Sequence, residues 1–150
     1  MIAPIHSAPA PIVSVVVPTF QRPALLRRAL ESVRAQTFTG WELVISDDDP
    51  ASGDAERIAS EVFGCDDRVR VIANTGEHGQ ASNVNHALRA ARGKWIKPLF
   101  DDDALKPAAL ERMLSIAAAC PGAAIVRRLT DRVINGQSKG AASYGCHSGH

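Results

Sequence analysis

The sequence predicts an α/β fold, a mostly parallel sheet with helices on both faces. Strand-like and helix-like stretches alternate regularly from residue 12 onward, the links between them are short, and the first strand is apolar almost without interruption. Such alternation implies right-handed crossovers between parallel strands, and an unbroken apolar run marks a strand buried on both sides.

Residues 12–17, Ile-Val-Ser-Val-Val-Val, form that first strand, and Pro18-Thr19 stops it. Pro23 suits a first helical turn, after which Leu25, Leu26, Ala29, Leu30 and Val33 recur at three- and four-residue steps as far as Ala35. A strand over 41–46, a helix over 54–63 and a strand over 68–73 continue the alternation. Residues 79–92 read as a helix with Ala81, Val84, Ala87, Leu88 and Ala91 as its inner stripe, and Gly93 is expected as its C-terminal cap. The fourth strand covers 95–100. Pro107 opens another helix with Leu110, Met113, Leu114 and Ala117 inward, Pro121-Gly122 closes it, and 124–133 reads as a fifth strand.

A chain of 150 residues, 45% hydrophobic, has the length and core of about one domain. Three boundaries are expected: a disordered leader over 1–11, a domain over 12–133, and a flexible Gly/Ser-rich tail over 134–150. The net charge of +1, with Lys and Arg scattered among acids, gives no footprint for nucleic acid. Cys65, Cys120 and Cys146 fit neither a disulfide framework nor a CxxC zinc site, which points to a reducing cytoplasm. Cys146, His147 and His150 as metal ligands are set aside in favour of a plain terminus. The opening lacks a basic n-region, and no run reaches the about 20 apolar residues of a membrane helix.

Acidic clusters close two of the strands, at Asp47-Asp48-Asp49 and Asp101-Asp102-Asp103. Parallel strands deliver their carboxyl ends to one edge, so these clusters, with Pro18-Thr19 and Asn74-Thr75-Gly76, line a common crevice where such sheets bind ligands. Carboxylates gathered there repel unless a cation joins them, and their hard oxygens suit Mg²⁺ or Mn²⁺ with a substrate phosphate as co-ligand. No GxGxxG or GxxxxGK[ST] follows the first strand, which argues against NAD and against a P-loop. A receiver-type phosphoacceptor would place its acidic pair where Pro18 and Thr19 stand.

The stretches Val13-Ser14-Val15-Val16-Val17-Pro18-Thr19-Phe20-Gln21-Arg22, Leu30 to Thr37, Trp41 to Asp48, Asn74 to Gly93 and Phe100-Asp101-Asp102-Asp103 occur in this order. Together they resemble the family 2 glycosyltransferases of GT-A (Rossmann-like) fold over about residues 12–120. The resemblance implies that Pro18 and Thr19 border a nucleotide and that Asp48 accepts a hydrogen bond from its base. It also implies that Asp101 faces the ribose or a metal-bound water, and that Asp102 or Asp103 holds the metal of a DxD site. Asn83 and Asn85 are either nucleotide contacts or ordinary polar positions at a helix start. The implied donor is a nucleoside-diphosphate sugar, a UDP-sugar favoured, with Mn²⁺ or Mg²⁺ as cofactor and an inverting transfer to an unknown acceptor.

The sequence departs from the family pattern in three places. Phe100 stands where many members have the first Asp of DxD, Asp49-Pro50 replaces Gly-Ser, and Val84 takes a place that is often Arg. No Asp or Glu follows Asp131, so the general base that members carry beyond DxD is missing, and such bases are worth about 10²–10⁴-fold. The chain therefore reads as C-terminally truncated, with its catalytic residue unknown. The readings left open are a transferase fragment, a nucleotide-binding module without catalysis, and a subunit completed by another polypeptide. Self-association through uncovered surface and a cytoplasmic location, or one at the inner membrane face, complete the expectations.

Overall fold

The protein is described from a computed structural model, which describes residues 10–128, 132–134, 137–139 and 144–148. The chain divides into two compact units, Met1–Pro107 and Ala108–His150. The division falls inside the stretch 12–133 that the sequence reads as one domain.

In the first unit the order is β1 (Val13–Thr19), α1 (Pro23–Arg34), β2 (Trp41–Asp47), a short 3-10 turn (Pro50–Ser52), α2 (Asp54–Phe63), β3 (Val69–Ala73), α3 (Gln80–Ala90) and β4 (Trp95–Pro98). The sheet order is β3-β2-β1-β4, every neighbouring pair parallel, with Val13 opposite both Trp41 and Trp95. All seven residues of β1 are buried, as a strand covered on both faces requires.

In-register side chains share a face. Val16 and Val44 pack with Ala87 of α3, with Ile72, Leu88, Ala90 and Ala91 around them. The opposite face carries Val15, Val17, Leu43 and Ile45, all fully buried. There Trp41 meets Phe63 at the end of α2 edge to face, 5.9 Å between centroids, and α1 and α2 supply the buried stripes Leu26, Ala29, Leu30, Val33 and Ala55, Ile58, Ala59, Val62.

The far end of the sheet from the strands' carboxyl ends is closed by a polar brace. Glu42, 6% exposed, accepts from Ser14 Oγ at 2.6 Å, from the Arg92 N–H at 2.7 Å and from Arg70 Nη2 at 3.0 Å. Gly93 is not the helix cap the sequence suggests, since the cap position of α3 is Ala91 in extended conformation. Gly93 is needed for close approach instead: a Cβ there would lie 2.6 Å from the Ser14 nitrogen.

Two further boundaries move. β4 stops at Pro98, which has no N–H for the ladder, although the Leu99 N–H still reaches the Val16 carbonyl at 2.9 Å. In the second unit the helix α4 is Ala109–Ala119, starting two residues after Pro107. The single fifth strand is replaced by β5 (Ala123–Arg128) and β6 (Arg132–Ile134), with residues 129–131 outside the described set. Within the stretch expected as a flexible tail, β7 (Gln137–Lys139) pairs with β6, and β8 (Tyr144–Ser148) pairs with β5, both antiparallel. Backbone pairing of this kind needs only N–H and C=O groups, which Gly and Ser supply as well as any residue. Residues 1–9 of the expected leader 1–11, Asp131 and His150 lie outside the described residues.

Candidate functional site

Chain order reverses between β1 and β4, and ligand crevices of open parallel sheets sit at such a point. Thr19, the last residue of β1, spans it: its Oγ1 donates to Asp101 Oδ2 at 3.2 Å, and both residues are buried. Arg22 lies 3.4 Å from Asp101 Oδ1 and 3.9 Å from Asp102 Oδ2 through Nη1, while Arg28 donates to the Asp102 carbonyl at 2.6 Å. A hydroxyl and two guanidinium groups thus hold the acidic triplet in place. Asp102 and Asp103 themselves are exposed.

The second acidic cluster is divided by environment. Asp48, 7% exposed, accepts from Asn74 Nδ2 at 2.7 Å and from the Gly79 N–H at 2.9 Å, and His78 Nδ1 stands 3.1 Å from its Oδ1. Burial alone would raise its pKa, but the Gly79 N–H, the Asn74 amide and His78 outweigh it and hold the carboxyl below its ordinary value. Asn74 in turn binds the Glu77 carbonyl and the Gly76 N–H, which folds the loop 74–79 around Asp48. Asp47 is the opposite case. Burial raises its pKa, the charges of Glu56, Asp49 and Asp48 add to that, and the Asp49 N–H offsets only part. Its Oδ2 is buried with no hydrogen-bond partner. Asp49 accepts from Gln21 Nε2 at 2.8 Å, and Gln21 has a φ of 51°.

Asn83 is 2% exposed, and both of its amide hydrogens are engaged, with the carbonyls of Thr19 at 3.1 Å and Ser46 at 3.0 Å. Its oxygen accepts from Ser46 Oγ at 2.6 Å. With that proton used, His86 Nδ1, 2.9 Å from the same Oγ, is the donor of the pair. Asn83 is thus a brace joining the ends of β1 and β2. Asn85 is exposed on α3, and Pro18 is buried opposite Ser46. The structure therefore brings Thr19, Asp48 and Asp101 to the same edge.

Four further participants stand beside the residues implied by the resemblance: Asn74, already expected along the crevice, and Arg22 as partners of the acids, His78 as a neighbour of Asp48, and Phe20, 51% exposed beside Thr19. The visible signal was their position directly after β1 or β3, next to acids placed one strand away.

Among the described residues no group of three His, Cys, Asp or Glu side chains converges to hold a metal by itself. The donor set nevertheless fits Mn²⁺ or Mg²⁺ in the usual manner of such ions, which take one or two carboxylates and complete their shell with phosphate and water. A guanidinium already standing between Asp101 and Asp102 shows that the pair accommodates a cation.

Residues 14–142 match the description Glycosyl transferase family 2. The chain belongs to this family. A Campylobacter jejuni relative, GalNAc(5)-diNAcBac-PP-undecaprenol beta-1,3-glucosyltransferase, is 35% identical over 108 residues, which is 71% of this family 2 chain and 35% of the relative. The Escherichia coli enzyme UDP-Glc:alpha-D-GlcNAc-diphosphoundecaprenol beta-1,3-glucosyltransferase WfgD is 32% identical over 105 residues, 70% of this chain and 40% of the enzyme. The chain thus spans well under half the length of these relatives. Among solved structures, the mannosyltransferase PcManGT of Pyrobaculum calidifontis with GDP-Man and Mn²⁺ aligns with a TM-score of 0.66 at 24% identity, over 82% of this chain and 36% of that one. S. aureus TarS 1-349 with UDP aligns at 0.67 and 21% identity, over 86% and 38%. The expected GT-A fold is the fold observed.

Proposed function

We propose that this family 2 chain binds a nucleoside-diphosphate sugar, a UDP-sugar favoured, for inverting transfer to an acceptor. The observation that carries the reading is the pairing at one sheet edge of an ionised, oriented acceptor, Asp48, with an acidic triplet anchored through Thr19 and Arg22. Asp48 Oδ2 keeps a lone pair beyond the Gly79 N–H, and an imide N–H of a pyrimidine base is a suitable donor to it. Phe20, exposed next to Thr19, offers a face on which that base can stack. Asp102 or Asp103, with Asp101 beside them, would hold Mn²⁺ or Mg²⁺. A divalent ion, when bound, neutralises charge developing on the departing diphosphate.

Printed ligands of the neighbours support the reading: UDP, UDP-GlcNAc, and GDP-Man with Mn²⁺. Among the described residues no helix is long and apolar enough to cross a membrane. A location in the cytoplasm or at the inner membrane face, and self-association, are part of the proposal. The alternative is a nucleotide-binding module without transfer.

The test is calorimetric titration of UDP with Mn²⁺ and with EDTA, on wild type and Asp102→Asn. Binding that strengthens with Mn²⁺ in the wild type alone is expected, and equal affinity in Mn²⁺ and EDTA overturns the metal role. Acceptor-dependent UDP release from UDP-sugars separates transfer from binding alone.

A further inference from the structure

We propose that Arg22 is the resident counter-cation of Asp101 and Asp102 and couples metal entry to diphosphate arrival. It neutralises Asp101 and Asp102 in the free protein and leaves them to a divalent ion when a diphosphate is present to receive its guanidinium. This rests on the nucleotide-sugar reading above.

Position is the first argument. Arg22 is the N-cap of α1, and its Nη1 lies between the two carboxylates, 3.4 Å and 3.9 Å away. Arg28 touches the same segment only through the Asp102 carbonyl, so it leaves the carboxylates to Arg22. A guanidinium remains charged at every accessible pH, and a divalent ion approaching this pair meets a fixed positive charge. It enters by moving Arg22 aside.

Mobility is the second. The Arg22 side chain is 56% exposed, and exposed ion pairs are individually weak. Its neighbour Gln21 sits at φ 51°, the one positive-φ residue other than glycine among the described residues. That strained position is tied down through Asp49, on the other acidic cluster. The segment 20–22 is therefore fastened to the two clusters by one side chain each, Gln21 and Arg22, with a strained backbone position between β1 and α1.

Chemistry is the third. The planar fork of a displaced guanidinium matches phosphate oxygens bidentately, so the group that leaves the carboxylates has a ready partner in the incoming diphosphate. Metal and nucleotide then each favour the Arg22 position that the other needs, which makes the coupling reciprocal.

The experiment is Mn²⁺ titration followed by electron paramagnetic resonance, with and without UDP, on wild type, Arg22→Gln and Arg22→Lys, each first checked by thermal melt. Wild type is expected to bind Mn²⁺ weakly alone and more tightly with UDP. Arg22→Gln should bind Mn²⁺ alone about 30-fold more tightly, the factor for removing one unit charge about 4 Å from a divalent ion in water, and should gain less from UDP. Arg22→Lys keeps the charge, so it should match wild type without UDP and gain less with it.

An unchanged or weaker Mn²⁺ affinity in Arg22→Gln, while the wild type still binds UDP in a metal-dependent way, overturns the coupling alone. No Mn²⁺ uptake by the wild type with UDP present overturns the nucleotide-sugar reading and the coupling together. Were Arg22→Gln to fail to fold, an undiminished UDP effect in Arg22→Lys would overturn the proposal.

Discussion

Asn74 and Asp48 meet at the ends of adjacent parallel strands, with Asn74 Nδ2 2.7 Å from Asp48 Oδ1. The contact fixes the plane of the carboxylate, and the Gly79 N–H on Oδ2 completes the orientation. Asp48→Ala should therefore weaken UDP by about 1.5–3 kcal/mol while leaving inorganic pyrophosphate nearly unaffected, as loss of a hydrogen bond to a charged group implies. Calorimetry with both ligands checks it. Equal losses would move Asp48 out of the base pocket.

Phe20 tests a second contact of the proposed base. Its exposed ring is expected to stack on the base, an interaction worth about 1–3 kcal/mol when removed by alanine substitution. Phe20→Ala should weaken UDP in that range and cost little thermal stability, because about half of the residue is already exposed. A lowered melting temperature with unchanged UDP affinity would assign the ring to packing.

Glu42 and Asp47 give stability effects of opposite sign with pH. Burial raises the pKa of Glu42, yet Ser14, the Arg92 N–H and Arg70 together bring it below its ordinary 4.5. Its contribution is present above that value and is lost as pH falls through the lower folded value. Glu42→Gln should be less stable than wild type at neutral pH by about 1–3 kcal/mol, with the difference closing in acid. Asp47 has a raised pKa, so its stabilising contribution belongs to low pH and is lost as pH rises through the folded value. Asp47→Asn should exceed wild type at neutral pH and converge with it below 3.8. Urea midpoints by circular dichroism across this range decide both, and a pH-independent gap contradicts either assignment.

Gly93→Ala places a methyl group 2.6 Å from the Ser14 nitrogen, where backbone rather than a flexible side chain must yield. A loss of about 1–3 kcal/mol is expected from such overpacking. The variant should still bind UDP under native conditions, since Gly93 lies at the opposite end of the sheet. A neutral effect on the urea midpoint would show that the β1–β4 link is softer than described.

Much of this architecture is legible in the sequence because it depends on local period. Residues 54–63 read as a helix, and α2 has those bounds, with its stripe of Ala55, Ile58, Ala59 and Val62 buried. β4 and α4 are shorter than read because Pro98 and Pro107 act through a missing N–H and a turn, which apolar spacing does not register. Within the site, resemblance to the family pointed to Thr19, Asp48 and Asp101. Asn74 was expected along the same crevice, but which side chain pairs with which acid was not legible. Arg22 is 79 residues from Asp101 in sequence, and Asn74 and His78 are 26 and 30 from Asp48, distances closed by strand order alone.

The amide of Asn83 ties the ends of β1 and β2 to each other through two backbone carbonyls. A frame fastened in this way separates two kinds of change in sequence. On the proposed nucleotide-sugar reading, segments 20–22 and 74–79 are interchangeable fittings whose exchange between relatives alters which base or phosphate geometry is preferred, while the mounting beneath them keeps its dimensions. Loop chimeras that retain Asn83, Ser46 and the Thr19 backbone are then the economical route to new donor preferences, and random variation in the strands is the poor one.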